Sequence, residues 1–148
     1  MIVVQLGHVV LYVRNLDASV AFYRDIVGLT VEGKIFNNRA SILTGGSTHH
    51  ELLLIEVGDA PGPPGGRRLG LYHVGWSVGD SLDDLRAARD RIEEGGIEID
   101  GMADHTISFS IYIRDPDGNE IELFVDNPEF NWRESDAWME QPVKPLTF

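Results

Sequence analysis

Three side chains able to bind a divalent metal stand on segments with the pattern of β-strands. His8 begins one such segment, His73 begins another 65 residues later, and Glu122 lies on the last strand-like segment before the tail. Two neutral imidazoles and one carboxylate would supply three ligands and leave coordination positions open. The sequence has no cysteine, which excludes thiolate ligands and a cysteine nucleophile. Any metal site must therefore use His, Asp and Glu.

The two histidine segments open two similar halves of the chain. In each half the first strand precedes a predicted helix, and three predicted strands follow. Asp17 is the predicted N-cap of a helix over 18–27, and Ser81 with Asp84 forms a capping box for the second helix. The strands after the helices are predicted at 29–36, 40–43 and 51–57, and at 97–99, 107–113 and 120–125. The matching order predicts an α+β fold, with two βαβββ modules forming one curled mixed-sheet trough and the helices outside.

A loop rich in proline and glycine separates the halves, because such a composition sustains neither helix nor sheet. We predict a single domain over residues 1–148 in four parts: module one at about 3–57, the loop at 58–68, module two at about 69–126, and a tail at 127–148. The tail carries Trp132, Trp138 and Phe148 and is too aromatic for a solvated terminus. It is expected to cover the mouth of the trough or a partner subunit, or else to cover a sheet edge.

Alternation along the strands separates an apolar face from a polar one. The apolar positions, such as Val9, Leu11 and Val13, are typical of a face covered by a helix. The opposite face carries the three candidate ligands together with other polar side chains: Tyr12, Ser77, Ser108, Ser110, Tyr112 and Glu120. Each alone is typical of a solvated strand face or a hydrogen-bonded core residue. Converging in one concavity they would form a site, and two histidines with one carboxylate is the ligand set of non-haem Fe(II) oxygenases.

Composition narrows the class of partner. The formal net charge is −12, from 24 acidic and 12 basic residues, and this charge would repel a phosphate backbone. The most apolar stretch, residues 2–13, is too short to cross a bilayer. We therefore expect neither nucleic acid nor a membrane as a partner. We also predict that the protein is cytoplasmic, forms a homo-oligomer and binds a small molecule.

Three segments of the chain resemble the vicinal oxygen chelate superfamily, and within it the type I extradiol ring-cleaving dioxygenases. These segments are residues 7–13, 72–74 and 105–122. The run 105–122 contains the signature of these dioxygenases: a His, an apolar-Tyr pair, Asp-Pro-x-Gly, and a Glu four residues after the glycine. Ala103 departs from the pattern, which favours Gly, Asn, Thr, Ile or Val there. The best-known members have four modules, whereas this chain has two.

The resemblance implies roles for six side chains. His8, His73 and Glu122 would ligate Fe(II), or alternatively Mn(II). His50 would be the acid/base histidine, with His49 as its alternative, and His105 and Tyr112 would contact the bound substrate. The implied reaction inserts both atoms of O2 into a small aromatic diol and cleaves the ring beside the diol.

The sequence is also compatible with two other functions. A glyoxalase- or epimerase-like member of the superfamily would use four protein ligands for proton transfer, and Glu51 is the expected extra ligand in the first half. A non-catalytic binding protein of the resistance type would keep the trough without the metal triad. The presence of all three candidate ligands favours the enzyme.

Overall fold

The computed structural model describes all residues from Met1 to Phe148. The chain divides into two compact units, Met1–Pro63 and Pro64–Phe148. The division falls inside the predicted Pro/Gly loop. None of the helices combines the length and apolar character needed to cross a bilayer.

The first unit contains a four-stranded mixed sheet and one helical segment. Its elements are β1 (Val9–Val13), α1 (Leu16–Ala21) continued by a π-helical segment (Phe22–Val27), β2 (Thr30–Ile35), β3 (Ala40–Thr44) and β4 (Leu52–Glu56). The strand order is β1-β4-β3-β2, with β1 parallel to β4. Leu43, Leu52 and Leu54 are fully buried in this unit, as is Tyr23 from the π-helical segment.

The second unit repeats this arrangement and adds an edge strand. Its elements are β5 (His73–Ser77), α2 (Leu82–Glu94), β6 (Gly101–Asp104), β7 (Ser108–Arg114), β8 (Glu120–Asp126), a short 3₁₀ helix (Ala137–Glu140) and β9 (Lys144–Pro145). The strand order is β5-β8-β7-β6-β9, with β5 parallel to β8. The predicted order βαβββ in each half and the α+β class are confirmed.

The core of the second unit lies between α2 and one face of β7 and β8. The predicted capping box is present, since Ser81 accepts from the Asp84 amide and Asp84 accepts from the Ser81 amide. The buried residues of this core alternate along the strands and recur at helical spacing: Leu85, Ala88, Ile92, Ile111, Ile113, Ile121, Leu123 and Val125. Their burial leaves the opposite face of β7 and β8 to the polar side chains.

The predicted start of the first helix is wrong. Asn15, not Asp17, is the N-cap: its backbone is extended, and its Oδ1 accepts from the amide of Ala18 at 2.9 Å. Asp17 lies in the first turn of the helix instead. Both residue types are good caps, so the choice depends on where the chain leaves β1.

The predicted strand at 97–99 is also wrong, because the end of α2 uses those residues. The amide of Ile97 donates to the carbonyl of Ile92, and Gly96 has φ +69°. This left-handed turn closes the helix. Pairing with β7 begins only when the amide of Asp100 donates to the carbonyl of Tyr112, so the strand is Gly101–Asp104.

The tail covers a sheet edge, one of the two predicted alternatives. Its strand β9 pairs antiparallel with β6. Phe148 then lies against α2, where the guanidinium groups of Arg86 and Arg89 stand 5.4 and 5.0 Å from the centre of its ring. Arg89 also donates to the carbonyl oxygen of Phe148 at 2.6 Å.

We expect Asn15→Ala to lower the free energy of unfolding by about 1 kcal/mol, because the amide of Ala18 loses its acceptor. Asp17→Ala is the matched control and should change stability by less than half of that. Urea unfolding followed by circular dichroism measures both. Equal losses in the two variants would contradict the assignment of Asn15 as the cap.

Candidate functional site

His73 lies between two carboxylates in the second unit. The parallel pairing of β5 and β8 sets His73 opposite Glu120 and Gly75 opposite Glu122. Nδ1 of His73 is 3.1 Å from Oε2 of Glu120, and Nε2 is 3.1 Å from Oε2 of Glu122. The side chains are 26%, 10% and 15% exposed for His73, Glu120 and Glu122. Each nitrogen of the ring therefore faces its own largely buried carboxylate.

The second oxygen of Glu122 is held by neutral donors from β7. Ser110 donates to Oε1 of Glu122 at 2.5 Å, and Tyr112 donates to the same oxygen at 3.1 Å. His105 lies 2.7 Å from the Tyr112 hydroxyl through Nε2. Because that hydroxyl gives its proton to Glu122, Nε2 of His105 is the donor. Burial, and then the negative charge of Glu122, raises the pKa of Tyr112 to about 12, so the phenol stays protonated at neutral pH.

Gly75 provides the space for the Glu122 carboxylate. A Cβ at this position would lie 3.2 Å from Oε2 of Glu122 and 3.4 Å from a ring carbon of Phe124. The separation from Oε2 is shorter than normal van der Waals contact. A larger residue would therefore push the carboxylate away from its place beside His73.

Glu120 is held on its far side by a cation. Nη2 of Arg114 lies 3.3 Å from Oε1 of Glu120, and Nε of Arg114 donates to Asp100 at 2.8 Å. A row of ionisable groups thus runs from Asp100 through Arg114 and Glu120 to His73 and Glu122. The two carboxylates beside His73 consequently differ in environment, since one contacts a guanidinium and the other contacts hydroxyl groups.

In the first unit, the structure places His8 beside His50. Their ring centres are 4.7 Å apart, and the ring of His49 stands 4.4 Å from that of His50, with the two Nδ1 atoms in contact. Loss of hydration, followed by the charges of His49 and His8, lowers the pKa of His50. Three imidazoles are therefore grouped next to the first residue of β1.

Glu51 stabilises the turn between β3 and β4. One oxygen accepts from the amides of Ser47 and Thr48 at 2.8 and 3.0 Å. The other accepts from the amide of Gly45 at 2.7 Å and the hydroxyl of Thr44 at 2.9 Å. Partial burial acts to raise the pKa of Glu51, but these hydrogen bonds outweigh it and lower the pKa to about 2. Both oxygens are used by the turn, which argues against Glu51 as a metal ligand.

The register of the duplicated strands identifies the position where a fourth ligand would stand. Because His8 and His73 are equivalent, Val10 corresponds to Gly75. Gly75 pairs with Glu122, and Val10 pairs with Leu53. Leu53 therefore occupies the place in the first unit that Glu122 has in the second. An aliphatic side chain cannot ligate a metal, so the duplicated positions supply one carboxylate rather than two.

The structure brings together two sets of predicted site residues, one in each unit. His8 and His50 are neighbours in the first unit; His73, His105, Tyr112 and Glu122 are connected in the second. Neither unit by itself gathers three or more His, Asp or Glu side chains into a group able to hold a metal.

Three residues of the second unit were given no individual role from the sequence: Gly75, Ser110 and Glu120. Ser110 and Glu120 share the polar parity of Tyr112 and Glu122, so alternation places them on the right face but gives no partner. No pattern in the sequence predicts the role of Gly75, because that role depends on the register of the parallel strands.

Comparison with known proteins identifies what this chain is similar to. The family model described as Glyoxalase/Bleomycin resistance protein/Dioxygenase superfamily matches residues 5–123. The chain is 35% identical over 128 residues to a catechol-2,3-dioxygenase of Bacillus subtilis (strain 168), in a match that covers 86% of this chain and 44% of that protein. It is 34% identical over 134 residues to biphenyl-2,3-diol 1,2-dioxygenase 3 of Rhodococcus globerulus, covering 83% and 64%.

A similar solved structure has a different activity in its name. It is a lactoylglutathione lyase from Agrobacterium tumefaciens, with a TM-score of 0.63, 28% identity, and coverage of 84% of this chain and 96% of that chain. The two curated dioxygenases are longer proteins, of which this chain spans 44% and 64%. The names of these relatives state different reactions.

We expect Glu51→Gln to destabilise the protein by about 1–3 kcal/mol at pH 7, because hydrogen bonds to a carboxylate are lost. The pKa of Glu51 falls on folding from 4.5 to about 2. Its stabilisation is therefore complete above about pH 4.5 and is lost as the pH falls through about 2. The difference from the parent should shrink over this range in urea unfolding measured from pH 7 downwards.

Glu32→Gln, an exposed glutamate of the same unit, is the matched control and should change stability little at any pH. A constant difference between the Glu51→Gln variant and the parent from pH 7 to pH 2.5 would contradict the role assigned to the ionised carboxylate.

Proposed function

We propose that this chain, which belongs to the glyoxalase/bleomycin resistance protein/dioxygenase superfamily, is a metal-dependent extradiol dioxygenase. It would insert both atoms of O2 into a small aromatic diol and cleave the ring beside the diol. The predicted superfamily is confirmed, whereas the reaction is our proposal. The observation that carries it is the pair His73–Glu122, with Leu53 at the position where a fourth ligand would stand.

The residues fit a divalent metal. Nε2 of His73 and Oε2 of Glu122 lie 3.1 Å apart, and an imidazole nitrogen and a carboxylate oxygen are donors that would suit one divalent cation between them. We propose His8 as the third ligand, from the duplication and the family resemblance. A set of two histidines and one carboxylate favours Fe(II) and also accepts Mn(II).

When bound, the metal would supply Lewis acidity and a common binding place for the diol and O2. The protein's own residues would handle the protons. A diol must lose protons to chelate, and His50, which packs against His8 at 4.7 Å between ring centres, is the proposed acceptor of a hydroxyl proton. His49, which touches His50, is the alternative acceptor.

His105 and Tyr112 are the proposed substrate-binding donors. Both stand on the polar face of the second unit and are already joined at 2.7 Å. Nε2–H of His105 and the phenol of Tyr112 would donate to the substrate oxygens and stabilise the negative charge that develops on them. Tyr112 here donates its single hydroxyl proton to Glu122, so it would release Glu122 when it donates to a substrate oxygen.

The main alternative is a four-ligand isomerase or lyase, and the Agrobacterium relative is named as a lyase. Such a site needs a ligand from the first unit beyond His8. Leu53 stands at the equivalent position, and both oxygens of Glu51 are used by the turn at 44–48. These contacts favour the three-ligand site.

A binding protein without catalysis is distinguished by the absence of turnover. The cytoplasmic location and the homo-oligomer stay predictions.

Replacing His8, His73 or Glu122 by Ala should each abolish tight binding of one divalent metal per chain without unfolding the protein, since each removes one of three ligands. His49→Ala and Glu51→Ala are the controls and should keep the metal. Metal stoichiometry is measured after Fe(II) loading, and affinity is measured by calorimetric titration with Mn(II). Circular dichroism shows whether each variant is folded. Stoichiometric metal in all three ligand variants would refute the proposed site, and its loss in Glu51→Ala would favour the four-ligand isomerase.

The proton acceptor and the oxygen donors should differ in steady-state kinetics with a panel of catechols. His50→Gln should keep metal and substrate affinity but lower kcat by roughly two to four orders of magnitude, as expected when a positioned acid/base group is lost. His105→Phe should impair binding and turnover together. Tyr112→Phe should do so more mildly, by about 1–3 kcal/mol.

His49→Gln is the matched comparison for His50→Gln, and a larger loss in it would assign the acid/base role to His49. Formation of the yellow ring-opened product and metal content are measured for every variant. If His50→Gln and His105→Phe both cleave catechols at the parent rate, the site is not that of an extradiol dioxygenase.

A further inference from the structure

His73 presents two nitrogens to two carboxylates, and only one nitrogen can serve a metal. Nδ1 is hydrogen-bonded to Glu120, and Nε2 faces Glu122, each at 3.1 Å. A neutral imidazole carries its proton on one nitrogen and a lone pair on the other. The partner of Nδ1 therefore decides whether the lone pair of Nε2 is available.

The two carboxylates are distinguished by what holds their other oxygens. Oε1 of Glu120 lies 3.3 Å from the guanidinium of Arg114, which would repel a cation bound on that side. Oε1 of Glu122 accepts only from the hydroxyl groups of Ser110 and Tyr112. A divalent cation is therefore favoured beside Glu122, and Glu120 is left to accept the Nδ1 proton.

We propose that Glu120, fixed by Arg114, is a positioning residue that accepts the Nδ1–H of His73 and directs the lone pair of Nε2 toward the metal. The inference rests on the proposed function, because it concerns the same metal site. A carboxylate that holds the distal N–H of a ligating histidine fixes its tautomer and ring orientation and raises its basicity. Its removal typically weakens metal binding by about 10- to 100-fold.

The equivalent carboxylate of the first unit has taken a different role. Continuing the β1–β4 register by one residue places Glu51 opposite His8, as Glu120 stands opposite His73. Glu51 gives both oxygens to the turn at 44–48. The positioning device is thus specific to His73, and Glu51 offers no substitute for it.

The test measures metal affinity and tautomer separately from catalysis. Calorimetric titration with Mn(II) should show that Glu120→Ala weakens affinity by about 10- to 100-fold. Glu98→Ala removes an exposed glutamate of the same unit and should leave affinity unchanged. In side-chain ¹⁵N spectra of the protein saturated with Zn(II), His73 should ligate the metal through Nε2 and carry its proton on Nδ1, and this preference should be lost in Glu120→Ala. The His73 signals are identified by their absence in His73→Ala.

Arg114→Ala gives an independent arm, because Arg114 is half exposed and its loss does not open the core. It should weaken Mn(II) binding severalfold in the parent and have no effect in the Glu120→Ala background, if it acts through Glu120 alone. A merely structural contribution would persist in both backgrounds. Additive effects would overturn the assigned role of Arg114.

The results separate this inference from the function on which it rests. If His73→Ala loses the metal while Glu120→Ala binds Mn(II) as tightly as the parent, Glu120 has no positioning role and the metal site stands. If the parent binds no divalent metal, the proposed function itself fails. A parent that ligates Zn(II) through Nδ1 of His73 would also overturn the inference.

Discussion

The parallel pairing of β5 with β8 is the constraint on which the second unit's site depends. It sets His73 opposite Glu120 and Gly75 opposite Glu122, so one imidazole and two carboxylates share the same face. Side chains alternate along a strand, and a slip of one residue would exchange this face with the apolar one. The buried row formed by Ile121, Leu123 and Val125 prevents that slip. The hydrophobic core thereby fixes the polar geometry.

Holding two largely buried carboxylates a few ångströms from one imidazole is costly unless each is compensated. Glu120 is compensated by Arg114, and Arg114 in turn by Asp100. Glu122 has hydroxyl donors on one oxygen and His73 beside the other. The arrangement leaves the region between His73 and Glu122 as the place with negative charge and no fixed cation. That asymmetry is what makes one carboxylate a candidate ligand and the other a support.

The two units share a backbone plan but have diverged at the positions that decide chemistry. The first unit has Leu53 at the position where the second unit has Glu122. It has Glu51 at the position equivalent to Glu120, but Glu51 stabilises a turn, whereas Glu120 faces His73. A duplicated fold supplies pairs of equivalent positions, and a change in one copy alters the number of ligands without altering the fold. In this chain the divergence supports the proposed site with three ligands rather than four.

Local patterns in the sequence are sufficient to predict the repeated order of elements, the polar parity of the strands, and the capping box of α2. These are local properties: hydrophobic period, cap chemistry and turn residues depend on neighbours in the chain. His73, Tyr112 and Glu122 were predicted together because alternation placed them on one face. His105 followed from the resemblance to the dioxygenase signature.

The helix cap, the bounds of β6 and the roles of several site residues depend on tertiary packing. This packing selected Asn15 over Asp17 as a cap, because the exit from β1 sets where the helix begins. It displaced β6 from 97–99 to Gly101–Asp104, because the turn that ends α2 uses the intervening residues. It also gave Glu51, Glu120 and Gly75 their roles. Those roles depend on which residue lies opposite across a parallel pair, and the register of two strands separated by about 47 residues is fixed by packing rather than by any local signal.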